Sequence, residues 1–150
     1  MFREPLRCAG ALILDDAGRI FIQRRAPTRS LFPGCWDIVG GHLEQDETFE
    51  QALQREIREE TGWRLSHVLA ELTEIQYDDE AGVTRLERDY LVRVEGDLLA
   101  PRLAPGEHTE WRWIERSEIG LVNEHRGIGD RLAEQIITDG FAAAAQMGIL

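Results

Sequence analysis

Gly41 to Trp63 reads GHLEQDETFEQALQREIREETGW, and its second half decides the fold. The pattern from Phe49 to Thr61 predicts a helix. Thr48 is its expected N-cap, Gln51 three residues on completes a capping box, and Gly62 ends it. Each helical residue advances by about 100°. With Phe49 at zero, Ala52 falls near ~300°, Leu53 near ~40° and Ile57 near ~80°, which defines the buried face. Gln51, Gln54, Arg55 and Arg58 fall opposite, on the face expected to meet water. Glu56 and Glu60 fall inside the apolar arc, and Glu59 at its edge.

Carboxylates one helical turn apart repel, and each loses solvation when turned toward a core, at a cost of several kcal/mol per ion. Something positive must face them. Arginines could pair with them, or the helix end could open onto solvent. Alternatively, hard divalent cations such as Mg²⁺ or Mn²⁺ sit there, because clustered carboxylates suit them. Periodicity alone leaves both readings open.

On the N-terminal side of this helix, Arg7 to Leu14 reads as a strand, Asp15 to Gly18 as a turn and Arg19 to Arg24 as a returning strand, giving a hairpin. Residues 26 to 35, with Pro27, Pro33 and Gly34, read as a loop. Trp36 to Val39 is a short strand ending at Gly40-Gly41. On the C-terminal side, Val68 to Tyr77 and Arg85 to Val94 read as strands joined around Ala81-Gly82. Trp111 to Ile114 is another strand. A second helix is expected over Ile128 to Thr138, and the apolar tail from Phe141 to Leu150 is free to pack on the domain or on a second subunit as a homodimer. Interspersed strands and helices imply a mixed sheet between helices.

A chain of 150 residues suits one domain spanning 1–150. No apolar run reaches the length of a membrane span. Met1 to Pro5 lacks the basic and apolar regions of a signal peptide, so the cytoplasm is the expected compartment. Cys8 and Cys35 make no disulfide framework; Cys8 reads as a small core residue and Cys35 lies in the loop with no assigned role. The net charge of −11 repels nucleic-acid phosphates, which argues against a nucleic-acid binder. An acidic chain that binds a polyphosphate needs local positive charge, and bound divalent metal supplies it. All 17 basic residues are arginine, a bias assigned to the coding genome.

Gly41, Glu47, Arg55-Glu56-Ile57, Glu59-Glu60, Gly62 and Trp63 stand at the spacing of the Nudix box, with Trp63 bulkier than the usual aliphatic residue. The chain resembles a Nudix hydrolase over nearly its whole length. Flanking agreement comes from Gly40, Trp113-Ile114 and Glu118-Ile119. The resemblance implies the α/β Nudix fold, an α/β/α sandwich with a mixed β-sheet, and Mg²⁺-dependent hydrolysis of a nucleoside diphosphate linked to another group, Mn²⁺ being able to substitute. It implies that Glu56 and Glu60 are the principal metal ligands, and that Glu59 is a further ligand or the base for the attacking water. The Gly41 carbonyl would join the metal shell. Arg55 and Glu47 would brace the loop against the helix. Metal ions neutralise the diphosphate oxygens, activate a water and align its attack, which suits a reaction governed by positioning and charge neutralisation.

Outside the box, a further acid is expected from Glu107 or Glu110, Glu107 being favoured. Arg24 and Arg25 are candidates for the substrate phosphates, or ordinary edge-strand charges. Asn123 resembles an asparagine that reads a purine in Nudix enzymes acting on oxidised nucleotides, or is a cap. Tyr77 could stack on a base, or be packing. Trp36, Trp111 and Trp113 read as core. His42, His67, His108 and His125 show no ligand spacing, so none is assigned to metal. A small-molecule nucleotide is the expected partner. The leading substrate is a nucleoside triphosphate, oxidised or not, cut to a nucleoside monophosphate and pyrophosphate; sugar nucleotides and ADP-ribose-type compounds are alternatives. Two rivals remain. An isopentenyl diphosphate isomerase would need its catalytic cysteine where Gly40 stands. A nucleotide-sensing Nudix domain would usually have an eroded box.

Overall fold

The structure, a computed structural model, describes residues 4–72 and 74–150; Met1 to Arg3, read above for a leader, and Thr73, inside an expected strand, lie outside them. Among the described residues the strands are β1 (Leu6–Ile13), β2 (Ile20–Arg25), β3 (Trp36–Asp37) and β4 (Val39–His42). Helix α1 (Phe49–Thr61) follows, then β5 (Arg64–Glu71), β6 (Ile75–Asp78), β7 (Thr84–Glu95) and β8 (His108–Ile114). A 3-10 helix (Arg116–Asn123) and α2 (Leu132–Gln146) complete the chain.

One sheet runs β4-β1-β7-β5, with β6 also paired to β7. It is mixed, because β1 lies parallel to β7 and antiparallel to β4. A second sheet runs β3-β2-β8. Strand β1 is buried on both faces, which accounts for its near-continuous apolar sequence. Ala9, Ala11 and Ile13 pack with Leu53, Ile57 and Trp63 on the α1 side. Leu12 and Leu14 pack with Ile137 and Phe141 on the α2 side. This is the expected α/β/α sandwich. Among the described residues, no helix is long and apolar enough to cross a membrane.

Helix α1 begins and ends as its sequence dictates. Thr48 Oγ1 accepts from the Gln51 amide at 3.1 Å and Gln51 Oε1 from the Thr48 amide at 3.0 Å. Gly62 stops the helix with φ 78°, a left-handed conformation that glycine adopts without strain. Trp63 fits because Phe21 and Trp113 enclose it, with ring centroids 4.9 and 5.7 Å away.

Several expectations are corrected. The first two strands meet only at the Leu14–Ile20 bridge and enter different sheets. Asp15 Oδ1 accepts from the Ala17 and Arg19 amides at 2.9 and 2.8 Å, a turn that redirects the chain. Trp36 to Val39 is not one strand: β3 pairs with β2, whereas β4 pairs with β1 and contains Gly40-Gly41. Gly40 sits there because an added Cβ would approach Gly10 Cα to 3.0 Å. The stretch from Val68 to Tyr77 divides between β5 and β6. The last helix starts four residues later than expected and absorbs the alanines from Ala142 to Ala145, strong helix formers. Gly140 does not stop it, because Leu12 Cγ and Ile20 Cδ1 would lie only 3.5 and 3.4 Å from a Cβ there. Phe141 and Ala144 are consequently part of this domain's own core.

Candidate active site

Glu60 projects from the buried side of α1 and is 6% exposed. Its Oε2 accepts from the Gly40 amide at 2.8 Å, tying α1 to β4. Burial, and then the nearby Glu56 carboxylate, hold its pKa well above the ordinary range. Glu56, one turn earlier, is also raised, chiefly by burial and against the pull of Arg55. Glu59 stands at the edge with its side chain 56% exposed, as the helical phase requires.

Arg55 was expected to face water. Its side chain is only 21% exposed and folds back over the acids. It forks onto Glu47, with Nε to Oε2 at 2.8 Å and Nη2 to Oε1 at 2.9 Å. Its Nη1 donates to Glu56 Oε1 at 2.8 Å and to Glu59 Oε2 at 3.2 Å, and Nη2 also reaches the His42 carbonyl at 3.1 Å. The hydrogen bonds from Arg55 lower the Glu47 pKa to about 2. The arginine reading thus accounts for Glu56 and Glu59. It does not account for Glu60.

Gly41 lies against Glu56: an added Cβ would meet the Glu56 carboxylate carbon at 2.7 Å. Gly41→Ala is therefore expected to displace that carboxylate, weakening Mn²⁺ binding and turnover by about tenfold or more while α1 stays folded. Calorimetric titration with Mn²⁺ checks it, and unchanged affinity would count against a role for this contact.

Glu56, Glu59 and Glu60 open onto a cleft of about 380 Å³, also lined by Gly41, Arg25, Arg29, Asp37, Tyr77, Glu87, Glu107 and His108. Of the two adjacent arginines only Arg25 reaches it, because neighbours on a strand point to opposite faces. Burial lowers the Arg25 pKa. Arg24 points elsewhere, to Glu110 Oε2 at 3.2 Å and His125 Nε2 at 3.2 Å. Glu110 is thereby directed away, and Glu107 is the acid brought to the cleft. Asn123 lines neither this cleft nor its neighbour; it ends the 3-10 helix, eight residues before the last residue ahead of α2.

His108, given no metal role on sequence spacing, stands in a group that could hold an ion. Ligand atoms of Glu60, Glu107 and His108 lie within 4.8 Å of one another. His108 Nε2 is 3.9 Å from Glu60 Oε1, and burial lowers the imidazole pKa to about 4. The sequence carried no spacing signal, since the pairing of β8 with β2 and the bulge beside Arg25 turn this side chain inward.

A second hollow of about 370 Å³ adjoins the first and shares Phe32, Asp37, Tyr77 and Glu87 with it. Tyr77 donates to Glu87 Oε1 at 3.1 Å. Beneath lies Asp89, 1% exposed, with neither carboxylate oxygen hydrogen-bonded to a donor. Burial, then Glu87, raises its pKa well above the usual range. A pKa raised by folding favours the protonated folded state. The associated stability is present below about pH 4 and lost as pH climbs through the raised value. Asp89→Asn should flatten this decline and be more stable than the parent at pH 8 by at least about 1 kcal/mol. Denaturant melts at pH 5 and 8 check it, and parallel slopes would overturn it.

The donor set fits a hard divalent cation: six carboxylates and two imidazoles border one cleft, and the buried Glu60 carries no arginine among the described ion pairs. The chain is similar to known proteins. The family profile described as NUDIX domain matches residues 4–135. An uncharacterized Nudix hydrolase of Nostoc sp. is 30% identical over 114 residues, covering 75% of this chain and 66% of that protein, so the chain spans just under two thirds of this relative. The nucleoside triphosphatase NudI of Salmonella newport is 29% identical over 119 residues, covering 74% of this chain and 83% of that protein. The crystal structure of a MutT NUDIX hydrolase from Burkholderia pseudomallei superposes with a TM-score of 0.71 at 28% identity, covering 90% of this chain and 99% of that one.

Proposed function

Because this chain belongs to the Nudix family, we propose that it is a pyrophosphohydrolase that uses a divalent metal to cut the diphosphate linkage of a nucleoside diphosphate derivative. A nucleoside triphosphate, oxidised or not, is the leading substrate, and a nucleoside monophosphate and pyrophosphate are the products. The observation that carries the reading is the buried Glu60 carboxylate facing a cleft beside Glu56, Glu59 and Glu107. The name of the Salmonella relative supports the triphosphate class.

Glu56, Glu59, Glu60 and the Gly41 carbonyl would hold the ion. When bound, it neutralises phosphate oxygens and makes water a better nucleophile. Glu59, in place of its ligand role, or Glu107 would take a proton from water entering the cleft, both being more exposed than Glu60. Arg25 and Arg29 supply positive charge for the phosphates on the opposite wall. Arg55 and Glu47 position the glutamates. The adjoining hollow, with Tyr77 and Phe32 on the shared wall, would take the nucleoside. The isomerase rival finds no support, since Gly40 bears no thiol and Cys35, 1% exposed, does not line the cleft.

Assays with Mg²⁺ and with chelator across nucleoside triphosphates, sugar nucleotides, ADP-ribose and dinucleoside polyphosphates test the proposal. Release of pyrophosphate from a triphosphate, abolished by chelator, is the expected result. Binding without cleavage of any substrate would favour a sensor.

A further inference from the structure

Among the described cleft residues, His108 has surroundings that the roles given so far leave incomplete. Its side chain is 2% exposed, and its Nδ1 is buried with no hydrogen-bond partner. The ring therefore turns Nδ1 inward and presents Nε2 to the cleft and to Glu60 Oε1. At 3.9 Å that pair is too long for a hydrogen bond. Ligand atoms held at about 2.1 Å from one octahedral ion lie roughly 3 Å apart when adjacent and roughly 4.2 Å apart when opposite. The observed gap falls between these limits, and Glu107 lies in the same group. An ion shared by His108 and Glu60 thus needs these two side chains to close by about 1 Å at most.

We propose that His108 Nε2 is a direct ligand of an ion shared with Glu60 and Glu107, which biases the site toward first-row transition cations such as Mn²⁺ or Co²⁺ over Mg²⁺. This rests on the carboxylate metal site proposed above and adds a nitrogen to it. Mg²⁺ prefers oxygen and retains water, whereas imidazole binds the later divalent metals more strongly. A neutral ring is the ligating form, and the orphaned Nδ1 is the atom that would carry its proton.

The test uses the full chain loaded with Mn²⁺ alone, without substrate. Electron spin-echo spectroscopy should show coupling to an imidazole ¹⁴N in the parent and none in His108→Gln, which offers an amide oxygen in place of nitrogen. Calorimetry should show the Co²⁺-to-Mg²⁺ affinity ratio falling by about tenfold in the variant. Bound Mn²⁺ without ¹⁴N coupling in the parent would overturn the inference and leave the carboxylate site standing. Coupling that persists in His108→Gln would also overturn it. If Mn²⁺ binding were unaffected by Glu60→Gln, the metal site itself would be lost. The parent spectrum decides the matter even if the variant fails to fold.

Discussion

Glu60→Gln is expected to abolish measurable turnover, a loss of at least about 10³-fold, while leaving the fold intact. The substitution removes a charge and almost no volume. Gln Oε1 can still accept from the Gly40 amide, so the tie between α1 and β4 survives. What disappears is the negative oxygen facing His108 and Glu107. The apo protein should not weaken, because burial penalises the charge that the parent's carboxylate carries there. Without metal at pH 7.5, the variant should melt at or above the parent temperature; with Mn²⁺, only the parent should gain stability. Full activity together with unchanged metal-induced stabilisation would remove the basis for the enzymatic proposal.

Arg55→Ala should produce the largest combined loss. One guanidinium joins Glu47, Glu56, Glu59 and the His42 carbonyl, and its removal leaves partly buried carboxylates facing one another. A fall of about 2–3 kcal/mol in stability and about 100-fold in kcat is expected. Arg55→Lys restores the charge but lacks the planar fork, so it should remain impaired. Acid titration supplies a separate readout. The lowered Glu47 pKa contributes stability that is present above the ordinary carboxylate range and lost as pH falls toward about 2. In Arg55→Ala that component should vanish, giving a shallower acid limb. Parent-like melts at pH 3 and pH 7 would contradict the bracing role.

Much of the local structure was legible. Thr48, Gln51 and Gly62 act within a few residues of themselves, and the phase of Glu60 follows from helix geometry alone. Partner choice between strands was not legible. Nothing in the apolar run of β1 indicates that its neighbours are β4 and β7 rather than β2. The switch between sheets at Ile38 depends on contacts distant in sequence, as does the inward turn of His108. Glu87 and Asp89 did leave a trace: they alternate with Arg88 on the same face as buried Leu91. Two acids at inward positions of a long strand are the same anomaly that identified Glu60, but the residues they face come from other strands, Tyr77 and Cys8 beside Glu87 and Gly10 beside Asp89. Arg24 and Arg25 illustrate the reverse case. Their alternation fixed opposite directions for them, but which face held the site required the tertiary structure.

Phe32, Asp37, Tyr77 and Glu87 form a partition with a hollow on either side. A residue that borders two hollows cannot be altered for one alone. Trimming Asp37 or Tyr77 would enlarge both compartments together, so grip on the organic end of a ligand and alignment of its phosphate end would change as one quantity. Selection for a new substrate at these four positions would therefore carry a speed penalty, whereas residues lining only the outer hollow, such as Asp130 or Ile136, could vary without it.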